Sequence, residues 1–166
     1  GVAVVEILRV FTKPGDSILI SSPVYHNFYT WINETQLTLV DVPFERIGDE
    51  AANPWVINWE AIESAYSSGI KVHLLCSPHN PLGFIYTKQD LLRLVALAKK
   101  HDVLVISDEI HAPLTFPGET FVPIFDSLDS ARYSQALQIH YLLHFQESIL
   151  WNPRTASEFE FRIRAH

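Results

Sequence analysis

Three short segments of this 166-residue chain collect residue types that could do chemistry together: "SPVY" ending at Tyr25, "SPHNPLG" around Asn80, and "SDEIH" with Asp108 and His111. Each follows an apolar run directly, "SILIS", "KVHLLCS" and "VLVISDE". A carboxylate at the end of an apolar strand, as at Asp108, is costly to bury unless a cation or several donors pair with it. A protonated heterocyclic nitrogen is such a partner. The plainer alternative is a loop aspartate capping nearby amides. Asn80 fits equally well as a donor in a site and as the residue that satisfies the turn between Pro78 and Pro81. Tyr25 taken alone reads as core, and His111 taken alone as a loop histidine. Their placement at three successive strand ends raises them above those local readings.

The elements that must position these residues follow from periodicity. "GVAVVEILRVFTKPGD" reads as a helix already under way, with Val2, Val5, Leu8 and Phe11 on a helical spacing, stopped by Pro14 and Gly15. A helix that begins without an initiating methionine implies a segment upstream. "HNFYTWINETQ" reads as a helix, "LTLVDVPF" as a strand, and "GDEAANP" as a polar loop. "NWEAIESAYSSG" reads as a helix capped by Asn58 and closed at Gly69. Thr87 with Asp90 forms a capping-box signature, and Leu91, Leu92, Val95, Leu97 and Ala98 form the expected buried stripe of the helix that follows. That helix ends in Lys99, Lys100 and His101, which suit its negative end. Strands alternating with helices imply an α/β fold with a three-layer, mostly parallel sheet, and right-handed crossovers place all strand carboxyl ends on one edge. Ligands bind at that edge, so Tyr25, Asn80, Asp108 and His111 are expected to converge there.

Composition sets limits. The length and a hydrophobic content of 48% suit the core of one domain. A formal charge of −7 argues against a nucleic-acid partner. The single cysteine, Cys76, excludes a disulfide framework within the chain and, lying in "VHLLC", reads as a core residue in a reducing compartment. No apolar run reaches the ~18 residues of a membrane span and no signal peptide is visible, so the expected location is cytoplasmic. No metal-ligand spacing stands out.

"SPHNPLG" followed after a helix by "VLVISDEIH" resembles the large domain of pyridoxal-phosphate enzymes of aminotransferase fold type I. "KPGDSILISSPVYHNFYTWI" and "SDEIH" resemble the cystathionine β-lyase, or C–S lyase, branch of the class I/II aminotransferases. The resemblance runs from Gly1 to about Leu128, giving an incomplete large domain at 1–128 and a divergent tail at 129–166. It implies pyridoxal 5'-phosphate as cofactor, with Asp108 on the pyridine nitrogen, Asn80 on the phenolate oxygen, His111 as a second donor there and Tyr25 stacked on the ring. It further implies that Gly1, Val2 and Ala3 form the helix end that meets the cofactor phosphate. The implied partner is a small-molecule amino-acid substrate and the implied assembly a homodimer, with each active site completed across the interface.

One part of the family pattern is missing. The resemblance calls for a Schiff-base lysine about thirty residues after the aspartate, but the lysines are Lys13, Lys71, Lys88, Lys99 and Lys100, and none follows His101. No residue is therefore assigned as catalytic. Without that amine the cofactor lacks its covalent anchor and the enzyme its base.

The tail, "QALQIHYLLHFQESILWNPRTASEFEFRIRAH", shows no strand where one is due. Codon degeneracy at Phe145 and Gln146 permits Ser-Lys one base later, and Trp151 before Asn152 forces glycine in that frame. Frame change, unspliced intron and a genuinely divergent tail all stay open. The expected function is that of a lyase fragment inactive alone. The alternatives are an aminotransferase, or a non-catalytic cofactor-binding or interaction module. An unrelated nucleotide-binding domain is disfavoured because no Gly-rich phosphate loop follows a strand.

Overall fold

The computed structural model describes residues 1–48, 54–115, 118–127 and 136–139. Helix α1 (Val2–Phe11) leads into strand β1 (Ser17–Ile20), helix α2 (Asn27–Glu34) and strand β2 (Thr38–Asp41). A two-stranded antiparallel ribbon, β3 (Glu45–Arg46) with β4 (Trp55–Val56), precedes α3 (Trp59–Ser67). Then follow β5 (Val72–Cys76), α4 (Lys88–Lys100), β6 (Leu104–Asp108), two 3-10 turns (Ala112–Leu114 and Ile124–Ser127) and β7 (Ala136–Ile139).

The main sheet has the order β2-β1-β5-β6-β7, and each of its neighbouring pairs is parallel. Strand alternation sends Ile18, Ile20, Val72, Leu74, Cys76 and Ile106 to one face, beneath α1 and α2. Leu19, Leu75 and Val105 go to the other face, beneath α3 and α4. Both faces are covered, which is why β5 is apolar apart from His73 and is buried at every position. This is the expected three-layer α/β arrangement.

Local signals set the helix ends. The Asn58 side chain accepts from the Ala61 amide at 2.8 Å, and Gly69 closes the turn after α3 at φ +98°. Thr87 and Asp90 form the reciprocal capping box at the start of α4. The faces depart in detail from the sequence expectation. In α1 the buried side chains are Val4, Val5 and Leu8, whereas Val2 and Phe11 are 80% and 40% exposed. In α4 the stripe is Leu91, Leu94, Val95 and Ala98, with Leu92 exposed, because positions i, i+3, i+4 and i+7 share one side of a helix. The strand missing from the sequence reading is present. Ala136–Ile139 pairs with β6 from Val105↔Ala136 to Asp108↔Ile139, inside the segment read as tail. The central part of the "GDEAANP" loop and the frame-shift stretch after His140 lie outside the described residues. Among the described residues no helix is long and apolar enough to cross a membrane.

One buried pair makes the fold sensitive to acid. His73 of β5 is fully buried, and its Nδ1 shares a 2.7 Å hydrogen bond with the Tyr66 hydroxyl of α3. Burial, with His79 nearby, lowers the His73 pKa to about 3. The unfolded imidazole binds a proton near pH 6.5, so its neutral burial stabilises the fold above that pH, and the stabilisation is lost as pH falls from about 6.5 toward 3. Urea denaturation is expected to show His73 costing on the order of 1–2 kcal/mol at pH 5 relative to pH 7. His73→Asn, which keeps a partner for Tyr66, should flatten that slope.

Candidate functional site

A cleft of about 290 Å³ opens at the carboxyl ends of β1, β5 and β6. From β1 the chain runs outward to β2 and then returns to the other side of β1 at β5, so the sheet order reverses between β1 and β5. Such a reversal parts the connecting segments and leaves a crevice. The β5–β6 register pairs Cys76 with Asp108, and both line the cleft.

Asp108 is 9% exposed. Its Oδ1 accepts a 3.3 Å hydrogen bond from the Ile110 amide, and among the described residues no lysine or arginine pairs with it. Burial pushes its carboxyl above the usual range, opposed in turn by the Ile110 amide, by His111 and by the amino group at Gly1. A carboxylate has room for about four donors, and most of that capacity is unused here.

The loop after β5 carries Asn80 to the cleft. Its backbone amide donates to Cys76 Sγ at 3.3 Å, and its side-chain amide has no hydrogen-bond partner among the described residues. Tyr25 forms a wall, its hydroxyl accepting a 2.6 Å hydrogen bond from Asn27 Nδ2 and its ring set edge-on to Trp31 at 6.3 Å. His111 and Ile110 close the side after β6. Gly1 lines the cleft at the start of α1, where an added Cβ would press on Trp31 Nε1 at 3.0 Å.

The structure thus brings Tyr25, Asn80, Asp108, His111 and Gly1 to one cleft, while Val2 and Ala3 do not line it. Asn27 and Trp31 were missed by sequence reasoning. Their four-residue spacing puts both on one side of α2, a signal available only once the start of that helix is placed beside Tyr25. Lys13, Lys71, Lys88, Lys99 and Lys100 are all exposed and none reaches the cleft.

A sequence profile for "Aminotransferase class I and II" matches residues 1–142. The chain belongs to this family of pyridoxal-phosphate-dependent enzymes. The match extends beyond Leu128 and takes in β7. Among curated proteins, cystathionine beta-lyase PatB of Bacillus subtilis (strain 168) is 33% identical over 117 residues, 70% of this chain and 29% of that protein. Kynurenine–oxoglutarate transaminase 3 of Mus musculus is 34% identical over 121 residues, 70% of this chain and 27% of the mouse protein. Among solved structures, cystalysin from Treponema denticola, which contains pyridoxal 5'-phosphate, superposes with a TM-score of 0.75 at 29% identity. The superposition covers 84% of this chain and 35% of cystalysin. The chain therefore spans about 30% of the length of the curated relatives it matches. The likeness to cystalysin accounts for the class I/II aminotransferase fold of the parallel sheet.

Cys76 sits at the base of the cleft at 4% exposure. Burial pushes its thiol up to about 12, the Asn80 amide opposing this and the Asp108 charge adding to it. It is a protonated packing residue, as its sequence context implies. A thiol reagent at pH 8 should label the folded chain at least tenfold more slowly than the urea-unfolded chain. Equal rates would contradict its burial.

Proposed function

We propose that this chain carries the ring-binding part of a pyridoxal-phosphate-dependent carbon–sulfur lyase of the cystathionine β-lyase kind, acting on a small sulfur-containing amino acid. The supporting observation is Asp108. A carboxylate buried at a strand end without a cationic side chain, with spare acceptor capacity facing a cleft, suits a protonated aromatic nitrogen. The neighbouring residues fit the same group. Asn80 offers an unpartnered amide for an oxygen at the ring edge, His111 stands on the same side, and Tyr25 presents a wall against which a flat ring stacks. Gly1, at the start of α1, lines the same cleft, and the positive end of a helix dipole favours an anion there.

When bound, pyridoxal phosphate supplies an electron sink for bond cleavage at the substrate α-carbon. Asp108 keeps the ring nitrogen protonated, which that role requires. Asn80 and Tyr25 orient the ring, and Trp31 and Val4 shield the cleft from water.

What the lysines of this sequence cannot do is as important. All are exposed away from the cleft, so no lysine amine stands ready to anchor the cofactor or to take the α-proton. The 166-residue polypeptide by itself therefore holds the cofactor without a covalent bond and does not turn over substrate. The curated relatives include a lyase and a transaminase, and a pyridoxal-phosphate electron sink serves either reaction class. The branch-specific motifs "SPVYHNFYTWI" and "SDEIH" favour the lyase reading.

The test is titration of the purified chain with pyridoxal phosphate, followed by borohydride reduction. Saturable binding with an aldehyde-like spectrum and no cofactor fixed after reduction is expected, together with no thiol or keto-acid release from cystathionine. Asp108→Asn should weaken binding about 10- to 100-fold, as loss of one charge-assisted bond implies. Cofactor reductively fixed to a lysine, or turnover by this chain alone, would overturn the reading.

A further inference from the structure

His79 lies one residue before Asn80, yet its ring reaches the loop that carries Tyr25. It is 2% exposed, and its Nε2 stands 3.0 Å from the Pro23 carbonyl oxygen, fifty-six residues away in sequence. A carbonyl can only accept, so this contact places the proton on Nε2. Nδ1 is buried and makes no hydrogen bond. Burial lowers the ring's pKa against the pull of the Pro23, Cys76 and Ser21 carbonyls, which leaves it neutral. Those carbonyls belong to the ends of both β1 and β5, so the imidazole is wedged where the sheet order reverses.

The ring is held from behind as well. Phe44 packs edge-on to it at 4.7 Å and is itself packed on Phe84 at 5.0 Å. The Phe44 amide donates to the Ser22 carbonyl at 2.9 Å, which ties the support to the Tyr25 loop. The His79 amide donates to the Phe84 carbonyl, and the Gly83 amide returns to the His79 carbonyl, both at 2.8 Å. Gly83 allows this closed turn through its φ of +65°. Among the described residues no side chain other than His79 hydrogen-bonds one of these loops to the other.

We propose that His79 is a positioning residue that fixes the spacing of the Tyr25 and Asn80 loops and so sets the width of the cleft between ring wall and edge donor. Its relevance to a cofactor rests on the pyridoxal-phosphate reading above, but the coupling of the loops does not. His79 touches no ligand in this role. It acts through Pro23, two residues before Tyr25, and through its own backbone link to Asn80.

The test compares the whole chain with His79→Leu and with His79→Gln, whose amide can place a donor near the position of Nε2. Hydrogen exchange is read at the amides of Phe28 and Gly83, which donate to the Tyr25 and His79 carbonyls of the two loops, and at Leu74 and Ile106 in the sheet. In His79→Leu, Phe28 and Gly83 are expected to exchange about tenfold faster together, the loss of one net hydrogen bond, while the strand amides hold. His79→Gln should restore both loops. Unchanged exchange at Phe28 in His79→Leu would overturn the proposal. So would equal loss of protection across the sheet in both variants, which means bulk packing alone. Nitrogen NMR of the parent chain adds a check that needs no variant to fold: the proton belongs on Nε2, and a proton on Nδ1 would also overturn it. Pyridoxal-phosphate affinity, measured alongside, should fall about tenfold in His79→Leu. If the parent binds none, the cofactor reading fails while the exchange data still decide the role of His79.

Discussion

The parallel register of β5 against β6 is the constraint from which the cleft follows. Pairing Val72 with Leu104 carries through to Cys76 beside Asp108, and one further backbone bond, from the Ser77 amide to the Asp108 carbonyl, holds the strand ends together. Slipping β6 by one residue would turn Asp108 toward the face packed by α3 and α4, among Tyr66, Leu91 and Val95. The apolar residues on both sides of these central strands oppose such a slip, because any other register buries polar groups on a covered face. The fold therefore holds a carboxylate at a place where its own stability gains little from it.

That placement gives the cleft its character. Asp108 is buried enough for its carboxyl to be pushed up, and among the described residues no lysine or arginine offsets the cost, which His111 and the Gly1 amino group oppose only in part. The thiol beside it is held protonated by the same burial. The His79 imidazole, between the loops after β1 and β5, is held neutral. Apart from the Gly1 amino group and His111 at the side, the surroundings of Asp108 are thus uncharged dipoles and rings. A ligand with a flat ring and a positive nitrogen would meet a complementary site at low reorganisation cost, the sense in which a protein tunes a cofactor by placing its partners in advance.

Much of this was legible in the sequence because the signals were local. The runs before Ser21, Ser77 and Asp108 are apolar and short, so strands and their carboxyl ends could be placed, and with them Tyr25, Asn80, Asp108 and His111. Thr87 with Asp90, and Asn58 before its helix, were legible because capping chemistry depends on neighbours within one turn. What failed depended on packing. The buried side of α1 was read correctly at Val5 and Leu8 but not at its ends, because Val2 and Phe11 share the apolar composition of the buried residues yet are exposed, while Val4 is buried. Strand β7 escaped notice because "ALQI" is brief, carries a polar residue, and pairs on only one side with a described strand. Asn27, Trp31 and the reach of His79 to Pro23 escaped for a different reason. Their roles arise from contacts across loops whose separation no local pattern encodes.

The central claim is that the strand-end cleft, and Asp108 in it, receives the pyridine ring of the cofactor. The most direct measurement is NMR mapping of the isotope-labelled chain during titration with pyridoxal phosphate. The account predicts saturable shifts concentrated at Tyr25, Asn80, Ile110 and Asp108, with a matching change at the Trp31 indole and none along α4. Shifts confined to the surroundings of Lys88, Lys99 and Lys100, as surface adducts of the aldehyde would give, would contradict it.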